Sequence, residues 1–163
     1  MPQVQLDHGV AAVIGAIVGL IGGFVVASMN YRQKGDELLF KAIDLLAGGS
    51  QKRNLGISAI ELYWNKRRHK NVSVSLLSGS AIYLLRQSKQ GSAAHELYNL
   101  DRIMRLLLSQ TSVDETQKSH YKSVRDAVQA SINAVPSRTA STRGLHVDKT
   151  KLEGWKQELD KLL

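Results

Sequence analysis

DELLFKAIDLLAGGSQKRNLGISAIELYW, residues 36–64, is the stretch on which the fold turns. In its first half Leu39, Ile43 and Leu46 recur at helical spacing with Leu38, Ala42 and Leu45 beside them, and Gly48-Gly49 stops the pattern. Ser50 stands where a helix cap is wanted, and behind it Leu55, Ala59 and Leu62, with Ile60 and Trp64 alongside, mark a second apolar face. Helix, glycine turn and helix in so short a span predict an antiparallel helical hairpin.

The same spacing continues downstream. Val74, Leu77, Ala81 and Leu84 form a third face, Gln90-Gly91-Ser92 interrupts, and Leu97, Leu100, Met104 and Leu107 form a fourth. Ser112 with Glu115 fits a capping box opening a helix that carries Tyr121, Val124, Val128 and Ile132 and ends at Pro136. Residues 136–148, PSRTASTRGLHVD, offer little to bury and read as a linker. Thr150 with Glu153 fits a second box, before a short seam of Leu152, Trp155, Leu159 and Leu162. No segment alternates with period two, so the expected fold is all-α: a bundle or helical-hairpin stack of about five helices over residues 30–135, then a C-terminal amphipathic helix over 149–163.

Upstream the chemistry changes. Residues 9–29, GVAAVIGAIVGLIGGFVVASM, contain no charge, and a helix of that length spans roughly 30 Å, the thickness of a bilayer's hydrocarbon core. A core helix keeps a polar stripe, and this run has none. The preceding residues 1–8 hold no Lys or Arg, as a signal peptide would, whereas Arg32, Lys34 and Lys41 follow the run. The positive-inside rule then predicts a single-pass anchor in a plasma or inner membrane, with residues 1–8 as an external tail and the helical part in the cytoplasm. Within the span Ala11, Gly15, Gly19, Gly23 and Ala27 recur every fourth residue, a small-residue ladder suited to close packing with a second copy or another membrane helix.

Composition removes several activities. With no cysteine there is no disulfide framework, thiol nucleophile or thiolate metal site. The five histidines lie in separate segments; His95-Glu96 begins a zinc-protease pattern, but Asn99 stands where the second imidazole is needed. Leu77-Ser78-Gly79-Ser80-Ala81 lacks the strand and flanking glycines of a nucleophile elbow, and there is no phosphate-binding glycine loop. Neither catalytic residues nor a metal or other cofactor is expected.

Charge offers the remaining lead. After residue 29 the chain carries 22 Lys and Arg against 13 Asp and Glu, and Lys66, Arg67, Arg68 and Lys70 are clustered beside Trp64. On a tethered domain such a cluster suits anionic lipid headgroups first, an acidic protein surface second and nucleic acid third, since aromatic residues are not interleaved through it. Leu152, Trp155 and Leu159 have the form of a helix-in-groove ligand for a separate protein, and equally of a helix folded back on its own bundle.

Residues 52–60, KRNLGISAI, following a helix and a Gly-Gly turn, resemble the second helix of a HEAT or armadillo-type repeat, and Ser80-Ala81-Ile82 echoes Ser58-Ala59-Ile60. The resemblance covers residues 50–85 and implies a small curved helical stack that binds other proteins, without catalysis. Together these readings point to a membrane-anchored adaptor or assembly subunit working with an unidentified cytosolic protein. A membrane-tethered regulator of nucleic acids and a small holin-like membrane-active protein are the alternatives.

Overall fold

The computed structural model describes residues 29–30, 33–66, 69–135 and 144–163, which fall into a smaller unit ending at Phe40 and a larger one, Lys41–Leu163. In the smaller unit residues 33–40 are helical. The expected membrane span lies outside the described residues except for Met29, and so does its ladder of Ala11, Gly15, Gly19, Gly23 and Ala27. Among the described residues no helix is long and apolar enough to cross a membrane.

The larger unit is all-α. Helical residues 41–47 (α1) are followed by α2 (Ser50–Tyr63), α3 (Lys70–Ser88), α4 (Ala94–Leu108), α5 (Glu115–Asn133) and α6 (Lys149–Leu162). They pair in chain order: α3 packs on α4 across a short turn and α5 packs on α6, while α1 and α2 meet where Gly56 lies against Ala42 and Leu46. Alternate helices also pack, α2 on α4, α4 on α6 and α3 on α5. The result is three stacked hairpins in two layers, the stack alternative of the sequence reading.

Gly56 permits the first hairpin to close. A Cβ there would stand 3.0 Å from the Leu46 amide nitrogen and 3.1 Å from the Ala42 carbonyl oxygen, so any side chain pushes two backbones apart. The core behind it holds Ile57, Ile60, Leu77, Leu84, Leu100, Ile103, Met104 and Leu107, all buried. Each such side chain contributes about 1.5–3 kcal/mol by leaving water. The buried stripe of α3 is wide because it meets α4 on one side and α5 on the other, and it includes Ser73, Ser78 and Ser88 as well as the expected Val74, Leu77, Ala81 and Leu84.

Several local expectations are corrected. The buried face of α2 is Arg53, Gly56, Ile57 and Ile60; Leu55 and Leu62, expected inside, are 60% and 74% exposed. In α1 Ala42 and Leu46 are buried, whereas Ile43 is exposed. Gly49, not Ser50, is the N-cap of α2, and Asp114, not Ser112, precedes α5. The cap of α6 is Asp148, whose carboxylate accepts from the amides of Thr150 at 2.8 Å and Lys151 at 3.4 Å, in place of the expected Thr150–Glu153 box. A carboxylate also suits the positive end of the helix dipole.

The end of the expected linker is structured. Ser92 and Leu145 exchange backbone hydrogen bonds of 2.8 and 2.9 Å as an isolated antiparallel bridge, and Val147 is buried. His146 Nδ1 lies 2.7 Å from the Ser88 carbonyl oxygen. Gly144 adopts φ +121°, and a Cβ there would stand 2.9 Å from the carbonyl carbon of Gly91. Two glycines thus let the chain leading into α6 lie directly on the turn before α4.

Candidate functional site

Two regions of the stack bear on function: the polar edge where α3 and α5 begin, and the end formed by α1 and α2. Both are set by the interface of α2 with α4, which is bridged by polar side chains along its length. Arg53 donates from Nη1 to both Glu96 oxygens at 2.5 and 2.6 Å, from Nε to the Leu46 carbonyl at 3.2 Å and from Nη2 to the Gly48 carbonyl at 3.0 Å. Its guanidinium lies 5.2 Å from the Tyr83 ring centroid, so one side chain joins the end of α1 to α3 and α4. Asn99 donates to Ser50, and Arg102 donates to Asn54, Ser58 and the Glu61 carboxylate. Trp64 completes the row by donating its indole N–H to Ser109 Oγ at 3.1 Å. The pairs run from Ser50 to Trp64 and from Glu96 to Ser109 in the same sense, so α2 and α4 are parallel.

This row assigns Glu96 to structure. Its carboxylate is committed to Arg53, and Asn99 donates to the Ser50 carbonyl. Among the described residues no group of three or more His, Asp or Glu gathers as a metal site.

At the polar edge, Lys66 Nζ lies 4.8 Å from the Tyr63 ring centroid and Lys70 Nζ 5.1 Å from that of Trp64, while His69 meets Tyr63 edge to face. Each cation has a π-face beneath it, a contact worth roughly 0.5–1 kcal/mol at exposed sites. Trp64 itself is 5% exposed, in keeping with its place alongside the apolar face of α2, and it seats the cation from inside. Arg67 and Arg68 lie outside the described residues.

Beside Lys70 a polar cavity of about 340 Å³ opens between the starts of α3 and α5. Asn65, Asn71, Gln110, Ser112, Asp114 and Gln117 line it with Lys70, and Gln117 Nε2 donates to Asn71 Oδ1 at 2.5 Å across it. These side chains come from four elements, and no sequence motif joins them. At the edge of α5 the Lys118 ammonium, hydrogen-bonded to Glu115, holds that exposed carboxyl below its ordinary range. Deeper in the helix Tyr121 donates to the Leu107 carbonyl at 2.9 Å, satisfying a last-turn acceptor of α4, and burial pushes its phenol well above the usual value.

At the other region α2 is covered on one side by α4. Leu55 and Leu62 remain exposed, and a groove of about 430 Å³ runs between Ile43, Leu46 and Ala47 of α1 and Leu76, Gly79 and Tyr83 of α3. The residues read as a partner-docking seam, Leu152, Trp155 and Leu159, are buried in the chain's own core against α5 and α4, and that assignment is corrected: the seam is filled from within. Arg125 to Asp160 at 3.9 Å and Lys151 to Asp101 at 2.6 Å flank it.

Comparison with protein-family models gives no match, and comparisons with curated proteins and with solved structures give none either.

Proposed function

We propose that this chain is a single-pass membrane-anchored helical interaction module, acting by placing a partner at a membrane rather than by catalysis. The observation that carries the reading is the end of the hairpin stack formed by α1 and α2. Among the described residues α2 has one parallel neighbour, α4, where α4 has two, and Leu55 and Leu62 on its outer face are exposed. Each inner helix of the stack is covered by helices laid alongside it, so the surface suits an amphipathic helix of a partner protein docking in the same way. The uncharged run of residues 9–29 supplies the anchor, and Arg32, Lys34 and Lys41 behind it favour a cytoplasmic stack. In the span, the ladder of Gly15, Gly19 and Gly23 supports lateral association, and the basic sequence of Lys66, Arg67, Arg68 and Lys70 suits anionic headgroups.

The test uses the full chain, extracted from its own membranes in mild detergent, with Leu55→Ser/Leu62→Ser as the comparison. Both side chains are exposed, so the fold should persist. The reading expects a protein that binds the parent chain at fixed stoichiometry and is lost from the double variant. Binding that the double variant leaves unchanged would place the interaction elsewhere and overturn the open-end assignment.

A further inference from the structure

The two ends of the stack show different surfaces to solvent. Among the described residues no large apolar side chain of α5 or α6 is exposed, as a hairpin that terminates a helical stack requires. At the other end α2 turns outward a stripe of Leu55, Ala59 and Leu62, and both leucines are exposed. Their spacing of i, i+4 and i+7 sets them in line along the helix, the pattern that a further helix packs against.

Charge decides what kind of helix suits that stripe. At about 100° per residue, Gln51, Lys52 and Lys66 fall on the same outer face as the leucines, and all three are exposed. The lysines bracket the stripe, roughly 21 Å apart along the helix. Lys52 lies along the turn at Gly48, and Lys66 Nζ stands 4.8 Å from the Tyr63 ring centroid. Glu61, the one acid in the sequence of α2, is turned toward α4, where Arg102 takes both its oxygens. From α1 come Lys41 and Asp44, which offset each other.

A second copy of the chain is a poor occupant. A two-fold axis that pairs Leu55 with Leu62 of the other copy also pairs Gln51 with Lys66 and brings Lys52 within one turn of that same Lys66, so like charges meet at both ends. A helix with a carboxylate at each end meets no such cost and is steered onto the face.

Resting on the interaction-module reading above, we propose that the partner helix on α2 is acidic: an amphipathic segment of about four turns whose apolar stripe lies on Leu55, Ala59 and Leu62 and whose Asp or Glu side chains meet Lys52 and Lys66.

Fluorescence anisotropy of the full chain in mild detergent tests this with two labelled peptides of about 18 residues, one with a leucine stripe flanked by glutamates and one with the same stripe flanked by lysines. Leu55→Ser/Leu62→Ser in the same detergent gives the background from micelles and non-specific contact. Above it, the glutamate peptide should bind the parent chain saturably, one per chain, and about tenfold more tightly than the lysine peptide. Lys52→Glu/Lys66→Glu should reverse that order, a gain for the lysine peptide that misfolding cannot produce. Equal binding of the two peptides, or an order that the charge reversal leaves unchanged, overturns the acidic assignment and leaves the leucine face as a docking surface. Binding of neither peptide above background overturns the proposal, while stoichiometric capture from the native membrane judges the interaction-module reading by itself. A dimer in sedimentation that Leu55→Ser/Leu62→Ser converts to monomer seats a second copy on the face and overturns the proposal as well.

Discussion

Removing the Arg53 guanidinium should unfasten three helices at once. The Arg53 side chain is 6% exposed and that of Glu96 15%, so the pair is shielded from the solvent that makes surface ion pairs weak. Arg53→Met leaves a nearly buried carboxylate without its counter-charge, a change that costs about 3–5 kcal/mol in comparable sites. It also strips donors from the Leu46 and Gly48 carbonyls at the end of α1. Glu96→Gln keeps the shape and strands the cation instead. The double variant removes both charges and should be less destabilised than the sum of the singles by roughly 2–3 kcal/mol. Thermal melts followed by far-UV circular dichroism would read each single variant as a fall of ~10 °C, at about 2–4 °C per kcal/mol for a chain of this size. Single variants costing under about 1 kcal/mol, or additivity in the double, would refute the reasoning.

Leu55→Ser and Leu62→Ser should each change stability by less than about 0.5 kcal/mol, while Ile57→Ala or Ile60→Ala should cost about 2–5 kcal/mol; the reverse order in urea melts would restore the face expected from sequence. Tyr121→Phe should cost about 1–2 kcal/mol at neutral pH by leaving the Leu107 carbonyl unpaired. Burial raises the Tyr121 phenol above its unfolded value, so its stabilisation is whole below about pH 10 and is lost as pH rises further; melts from neutral to alkaline pH should fall less steeply in Tyr121→Phe. Gly144→Ala forces a side chain into φ +121° against Gly91 and should cost about 1–3 kcal/mol, with faster hydrogen exchange at the Ser92 and Leu145 amides as its local mark.

The helical class and the faces of α3 to α6 were legible because Val, Leu, Met and Tyr sit on them at unbroken helical spacing. The face of α2 was not. Its buried side carries Arg53 and Gly56, a charge and a bare backbone, while two leucines point outward, so apolar periodicity selects the wrong stripe. The caps failed for a related reason: Ser112 and Thr150 meet the spacing of a capping box, but Asp114 and Asp148 stand at the helix starts. Trp64 was legible as part of the apolar face, but only the position of Ser109, 45 residues on, shows where its N–H goes. The polar cavity left no trace in the sequence, since Asn65, Gln110 and Gln117 are ordinary solvated residues until three hairpins bring them together.

The central claim is a membrane-anchored stack facing the cytoplasm, and the lack of native cysteine permits a clean test by single substitutions at Gln5 and at exposed Ser123. Each variant would be exposed to a membrane-impermeant maleimide in intact cells, and the membranes then washed with alkali. The account predicts that both remain with the membrane, that Gln5→Cys labels from outside, and that Ser123→Cys labels only after permeabilisation. Release into the wash, or labelling of Ser123→Cys in intact cells, would contradict it.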